Sequence, residues 1–431
     1  MKASSRHAVA GATRAQVGTG STLFLLTLLN WNDEIGNPVE RQPPVRGSVV
    51  GTIAGNGTPG AWPAHGSDVR PWQQMVRGGT EDDRMLREVT VQLPPKIAGR
   101  DLLVPSKLAS QIEDCLREIV ALDASHGAHL GALGTMLLRT ESVASSKIEQ
   151  VEADVADYAR ALHGMKANQS ATSMAAATVA LKELIDSVGG GDLTTDAVLR
   201  SHHTLMHHDP GEVAYAGRTR DMQNWIGGSD YSPRNALYVP PPPETVEGYM
   251  DDLVAFANRD DLSAMVQAAV AHAQFESIHP FTDGNGRIGR ALVNTVLRRR
   301  GVTTTVVVPL ASALVARREA YFEVLTRYRD GDPEPIIAAF ARASTLAAQE
   351  SRVTAVRRAE CPQGWRDAVG RVRRDSATAR LLAVLPAMPV FSATEVEQNV
   401  GGATSALYRA VDVLVEAEVL RPLTDRKRNQ V

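Results

Sequence analysis

From Ser106 onward the apolar positions recur with the period of an α-helix. Leu108, Ile112, Cys115, Leu116, Ile119 and Val120 form one stripe and predict a helix over Ser106 to Leu122. The same pattern runs over Leu130 to Ile148 and Val151 to Leu162. An Ala- and Met-rich helix opens at Ser170 and ends before Gly189-Gly-Gly191; the next starts at Thr194 or Thr195 and carries Val198, Leu199, His202, Leu205 and Met206. Between Gly211 and Pro243 the period stops. Two short extended runs, Asn224-Trp-Ile-Gly-Gly228 and Ala236-Leu-Tyr-Val239, flank a turn-forming stretch and predict a hairpin. Pro240-Pro-Pro-Pro243 then opens a helix over Glu244 to Ala257. Helical runs follow over Met265 to Ile278, Ala291 to Leu297, Leu310 to Arg329 and Glu334 to Arg358.

The two ends read differently. Residues 1 to about 80 scatter Gly, Pro and Ser, as in Gly36-Asn-Pro38, Pro43-Pro44 and Gly55-Asn-Gly-Thr-Pro-Gly60, and predict weak order. Val89-Thr-Val-Gln-Leu93 alternates like a small strand or an extended arm. At the far end, Ser376 to Leu385 is helical, Ser392-Ala-Thr-Glu395 is a capping box, Gly401-Gly402 makes a turn and Thr404 to Glu416 is a third helix. Leu420 to Val431 then reads as a basic strand. That order is the order of a winged helix-turn-helix. The expected division is 1–80 poorly ordered, 81–190 an N-terminal helical region, 191–345 a core, and 346–431 a linker helix and tail module.

Composition narrows the field. Hydrophobic residues make up 43% of the 431, enough for large cores. A net charge of −3 argues against a dedicated nucleic-acid or membrane-surface binder. Two distant cysteines, Cys115 and Cys361, suit a reducing cytoplasm and no disulfide framework. The apolar run Leu23-Phe-Leu-Leu-Thr-Leu-Leu29 is too short to span a bilayer, and no small-residue cleavage site follows it. The expectation is a soluble cytoplasmic protein.

The chemistry concentrates in His279-Pro-Phe-Thr-Asp-Gly-Asn-Gly-Arg-Ile-Gly-Arg290, between two helical runs. Gly284 and Gly286 permit positive φ and close backbone approach. Successive N–H groups opening onto a helix make an anion site, and Arg287 and Arg290 sit on neighbouring positions of that helix. An imidazole, a carboxylate, an N–H nest and two guanidiniums are the parts needed to handle a polyphosphate. His202, His203, His207 and His208 invite a metal reading, but no thiolate or carboxylate stands at ligand spacing beside them.

Position by position, the segment is similar to the His-x-Phe-x-Asp/Glu-Gly-Asn-Gly-Arg-x-x-Arg signature of Fic-domain proteins. The resemblance spans roughly Leu86 to Thr345 and, more loosely, the tail. It implies a mainly α fold: a Fic helical core with a β-hairpin flap, an N-terminal helical region and a C-terminal winged helix-turn-helix. It implies a protein adenylyltransferase that moves AMP from ATP to a Ser, Thr or Tyr hydroxyl of a target protein and releases pyrophosphate. Self-modification and homodimer formation belong to the same expectation. His279 would be the general base, Asp283 would hold Mg²⁺, and Gly284, Asn285 and Gly286 would cradle the α- and β-phosphates. Arg287 and Arg290 would neutralise the phosphates, with Arg290 near the γ-phosphate. Phe281 anchors the turn. Gln274, about a turn before His279, would line the pocket, and Tyr321 and Phe322 would form the adenine pocket or the core. The flap residues Leu237, Tyr238 and Val239 would hold the target segment by strand addition. Ser145-Ser-Lys-Ile-Glu-Gln150 resembles the family's inhibitory Ser/Thr-x-x-x-Glu motif through Ser145 and Glu149, while Gln150 departs from its last position.

Gly286 and Arg290 favour AMP transfer over the family's kinase-like and phosphocholine-transferring branches. Two alternatives stay open: AMP removal in the same site, and a nucleotide-sensing transcriptional regulator acting through the tail. The proposed third helix of the tail carries one cation, Arg409, against Arg421, Arg426, Lys427 and Arg428 on the strand. A structural or dimerising tail is therefore favoured over a DNA reader.

Overall fold

A computed structural model describes residues 23–26, 62–75, 77–124, 130–388 and 390–423. Strand β1 (Leu23–Leu26) comes first, then β2 (Gly66–Pro71), the short helix α1 (Glu81–Met85) and β3 (Glu88–Leu93). β2 and β3 pair antiparallel, with Gly66 opposite Leu93 and Pro71 opposite Glu88. Thr80 and Asp83 close a capping box on α1. Regular elements therefore lie within the first 80 residues, at Leu23–Leu26 and again in β2. Trp62 is buried against Tyr328 at 6.0 Å, and the His65 N–H donates to the Arg329 carbonyl at 2.8 Å. Gly36-Asn-Pro38, Pro43-Pro44 and Gly55 to Gly60 lie outside the described residues.

The helical body is mainly where the apolar period puts it. It comprises α2 (Ser106–Ala124), α3 (Leu130–Ile148), α4 (Val155–Leu162), α5 (Gln169–Asp186), α6 (Thr195–Met206), α7 (Val246–Ala257), α8 (Ala264–Ile278) and α9 (Asn285–Arg299). It continues with α10 (Leu310–Val315), α11 (Arg318–Arg329) and α12 (Glu334–Val369). Boundaries shift where a cap or a break decides them. Asp154 caps α4 and Asn168 caps α5, each through its side chain, so both start off the expected residue. The run over Leu310 to Arg329 divides at Ala316–Arg317, and the last helix continues well past Arg358, through Pro362.

α8 is the axis of the fold. All fifteen of its residues are buried, which no single amphipathic stripe would achieve, and α9, α7, α12 and α11 pack around it. Phe275 and Phe281 are both 0% exposed. Enclosing such rings stabilises the junction between α8 and α9 by about 1.5–3 kcal/mol each.

The C-terminal part has its own core, built on Trp365, Leu381, Phe391, Leu407 and Leu414. Its elements are α13 (Ala377–Val384), β4 (Val390–Ser392), α14 (Ala393–Val400), α15 (Thr404–Glu416) and β5 (Leu420–Pro422), with the Ser392–Glu395 capping box formed. The strand order is β4-β1-β5, both pairings antiparallel, so Leu23–Leu26 is the middle strand. Val390 and Leu423 pack with Val143, Val151, Val155 and Tyr158, joining the tail to α3 and α4. Arg426, Lys427 and Arg428 lie outside the described residues. Among the described residues no helix is long and apolar enough to cross a membrane.

Candidate active site

The site forms where α8 ends. His279 takes a left-handed conformation (φ 50°, ψ 61°) that terminates the helix, at a cost of about 1–2 kcal/mol for a residue with a Cβ. The turn to α9 is held from several sides. The Asn285 side chain accepts from the Phe281 N–H at 2.9 Å and donates to the Phe281 carbonyl at 2.8 Å. Phe281 stacks on His202, with centroids 3.6 Å apart and planes at 2°. The Gly217 N–H donates to His202 Nδ1 at 3.0 Å, so Nε2 carries the proton and donates to the Asp283 carbonyl at 3.1 Å. Burial first of all, with Arg287 nearby, holds His202 down at about 4. This neutral histidine is a strut of the turn.

Gly284 (φ 77°) starts α9, and no side chain caps it among the described residues. The first N–H groups of the helix therefore face an anion site. Glu149 occupies it. A Cβ built on Gly286 would stand 1.9 Å from Glu149 Oε1. Arg290, 1% exposed, donates to Glu149 Oε1 at 2.7 Å, to Ser145 Oγ at 2.8 Å and to the Ser145 carbonyl at 2.9 Å. Burial would raise the Glu149 carboxyl, but Arg290, Arg287 and His279 outweigh it and hold it below the ordinary range. Burial opposes the Arg290 charge as well, and Glu149, Tyr321 and Glu276 more than compensate. Both partners are therefore ionised.

His279 is held down at about 3, by burial first and then by the charges of Arg220 and Arg329; Glu149 and the Glu276 backbone oppose this. Its Nδ1 is enclosed and makes no well-formed hydrogen bond. Asp283 is 57% exposed at its side chain; Oδ1 accepts from the Gly284 N–H at 2.6 Å and Oδ2 lies 3.4 Å from Arg287. Arg287 also donates to Ser173 Oγ at 2.9 Å. A single solvated carboxylate beside an N–H nest fits Mg²⁺, which takes one or two carboxylates and otherwise binds phosphates and water.

Two expectations change and one open alternative narrows. Gln274 is fully buried, donating to the Pro95 carbonyl at 2.7 Å and accepting from the Tyr328 hydroxyl at 2.7 Å, so it braces the core and does not line the pocket. Tyr321 is 3% exposed with its hydroxyl 2.9 Å from His272 Nε2, a core position, while Phe322 is 40% exposed beneath the Arg318 guanidinium. The flap is a single bridge, Ile226 to Tyr238, and not a two-stranded ladder. Tyr238 and Val239 anchor it: the Tyr238 hydroxyl donates to the Ser277 carbonyl at 2.7 Å, and the Val239 carbonyl accepts from the Gln92 N–H at 2.9 Å. Leu237 projects, 85% exposed.

Residues the sequence did not single out complete the site. Arg220 is buried under the turn. Glu276 and Glu141 are buried behind Arg290, pushed up to about 7 and about 8 mainly by desolvation. Gly289 makes room for Glu276, whose Oε1 would lie 2.6 Å from a Cβ there.

Parts of the chain are similar to known proteins. The chain is 32% identical over 153 residues to the protein adenylyltransferase Fic of Nematostella vectensis, covering 35% of this chain and 32% of the relative. It is 30% identical over 162 residues to the adenylyltransferase fic-1 of Caenorhabditis elegans, covering 37% and 28%. The chain thus spans about a third of the length of these relatives. A Fic family protein from Desulfovibrio desulfuricans G20 superposes with a TM-score of 0.49 at 19% identity, covering 73% of this chain and 90% of that one. Residues 192–297, from just before α6 to near the end of α9, match the model of the Fic/DOC family.

Proposed function

We propose that this chain transfers AMP from ATP to a hydroxyl side chain of a protein and that Glu149 restrains it. The observation that carries the reading is the Glu149 carboxylate seated over Gly286 and bonded to Arg290, beside a neutral imidazole. A carboxylate beside a helix N-terminus and paired with a buried arginine supports this as the place where a phosphate is held. In the reaction, the Ser, Thr or Tyr hydroxyl gives its proton to Nε2 of His279, since Nδ1 is enclosed. The hydroxyl oxygen forms a bond to the α-phosphorus, and the bond from that phosphorus to the bridging oxygen breaks. Pyrophosphate leaves, and the imidazolium returns its proton to solvent. Phosphate charge arriving over the nest raises the His279 pKa toward the range where a base works well.

Gly284, Asn285 and Gly286 would cradle the α- and β-phosphates through backbone N–H groups, with Arg287 beside them. Asp283 would hold Mg²⁺, which neutralises phosphate charge when bound. Arg290, freed from Glu149, orients the γ-phosphate. Leu237 offers the apolar contact for the target segment. A second reading, removal of AMP, draws support from the Glu149 side chain, which is 34% exposed and oriented by Arg290 so that it could direct a water.

Purified full-length chain incubated with labelled ATP and Mg²⁺ tests the reading. Label should pass to protein, and His279→Ala should lower the rate by roughly two to four orders of magnitude with ATP affinity little changed. Near-normal turnover of His279→Ala would remove His279 from the chemistry.

A further inference from the structure

Arg220 lies outside the motif, in the segment that leads from α6 to the flap. It is 3% exposed, and among the described residues it has no carboxylate partner at ion-pair distance. Its guanidinium donates instead to backbone carbonyls from two separate parts of the chain. On the motif side, Nε donates to the His279 carbonyl at 2.9 Å and one terminal nitrogen to Ile278 at 3.4 Å. On the flap side, the terminal nitrogens reach Pro241 at 2.6 Å and Met222 at 3.2 Å. The Arg220 N–H adds a bond to the Pro280 carbonyl at 2.9 Å. Every carbonyl from Ile278 to Pro280 is therefore tied to one residue.

We propose that Arg220 is a positioning residue of the transfer site, holding the His279 turn in its left-handed conformation and fixing the flap to it in one register. The reasoning is conformational. A residue with a Cβ stays at φ 50° only when its surroundings hold it there, and here the carbonyls on both sides of His279 are held by one planar fork. The same fork holds Met222 and Pro241, on either side of the flap, so the distance from base to target hydroxyl is set by one buried side chain. Lysine offers a point charge and flexible donors and cannot serve four carbonyls in this way. The Arg220 segment is itself anchored: the Gly217 N–H donates to His202, the strut of the phosphate turn.

A second consequence is electrostatic. The charged and polar groups facing His279 are Arg220, Arg329 from α11, Glu149 from the end of α3 and the Glu276 backbone of α8. Tyr238 and Glu244 face Arg220 itself. Removing the Arg220 charge takes away one of the cations that keep the imidazole neutral, so His279 would protonate at higher pH and the acid limb of the rate profile would move up.

The test rests on His279 being the base and uses the full-length chain carrying Glu149→Gly. Arg220→Lys and Arg220→Met are compared with this parent for kcat, KM for ATP, pH dependence and the imidazole signal of His279, assigned by its loss in His279→Ala. Both variants should lose about 100-fold in kcat while KM for ATP stays within about threefold. Only Arg220→Met should move the acid limb up, since Arg220→Lys keeps the charge. In both, the His279 ring signal should shift. Parental kcat, or a loss confined to KM for ATP, overturns the proposal. Should Arg220→Met fail to fold, Arg220→Lys alone decides by the same split. Should the parent itself transfer no AMP, the functional reading fails, and the His279 signal decides for Arg220: an unchanged ring in Arg220→Lys refutes the positioning role.

Discussion

Replacing Glu149 by glycine removes the carboxylate that stands over Gly286 and frees a guanidinium that is otherwise 1% exposed. Glu149 follows the last residue of α3, so glycine there leaves the helix intact. A hydrogen bond between charged groups contributes about 1.5–3 kcal/mol. If that energy separates the closed from the ATP-competent arrangement, the competent fraction in wild type is roughly 1 in 10 to 1 in 150. The expected gain in initial self-modification rate at limiting ATP is thus about 10- to 150-fold. Ser145 still holds Arg290 in Glu149→Gly, so the guanidinium stays aimed at the nest. The gain should vanish in Glu149→Gly combined with Arg290→Ala, because the released arginine produces it. Label incorporation by wild type, single and double variants at equal ATP and Mg²⁺ measures this. A Glu149→Gly rate no higher than wild type would refute the reasoning and leave Glu149 as an ordinary helix-end ion pair.

In Gly286→Ala the added methyl would collide with Glu149 at 1.9 Å and fill the space a phosphate needs, so AMP transfer should fall at least about tenfold with or without Glu149→Gly. If Gly286→Ala instead rises to the Glu149→Gly rate, the phosphates bind elsewhere. Glu141, 1% exposed and pushed up to about 8 by burial against the lowering effects of the Ala311 N–H and Arg290, is protonated in the fold and ionised in the unfolded chain near neutrality. Its contribution is fully present below the ordinary glutamate range and is lost as pH rises toward 8, so Glu141→Gln should flatten the decline of thermal stability between pH 5 and 8. A decline as steep as wild type in a melting series would exclude Glu141 as its source. α15 offers Arg409 as its one cation, and that side chain donates to the Ser405 carbonyl; full-length chain should show no nanomolar, sequence-dependent DNA retention at physiological salt in a filter or mobility assay.

The local geometry between α8 and α9 is legible in the sequence because its parts are close together. From His279 to Arg290 the turn, the nest and the helix start are local geometry, and the spacing of Gly284 and Gly286 is enough to imply them. Gln274 departs from its expected place for a helical reason: five residues before His279 it lies roughly 140° round α8, on the face toward Pro95 and Tyr328. Tyr321 and Phe322 are adjacent, hence roughly 100° apart on α11, so one enters the core and the other faces out. Arg220 gave no local signal, because its partners Pro241 and Ile278 are 21 and 58 residues away. The ordered structure before residue 80 has no local sequence signal for the same reason. Trp62, β2 and β1 are fixed by partners that periodicity within the segment does not reveal.

The β4-β1-β5 order has a practical consequence for anyone trimming this protein to a tidy enzyme. The opening stretch looks dispensable, yet residues 23–26 are the central plank of the tail sheet. A truncation beginning after residue 26 would leave β4 and β5 with no strand partner in this sheet, the kind of exposed backbone that recruits other chains and precipitates. The damage would not stop there. Val390, at the start of β4, and Leu423, just past β5, lean on Val143 and Val151, which bracket Ser145 and Glu149. A shortened chain would therefore be a poor reference for the intact one, since loosening its far end slackens the helix that keeps a carboxylate over the nest.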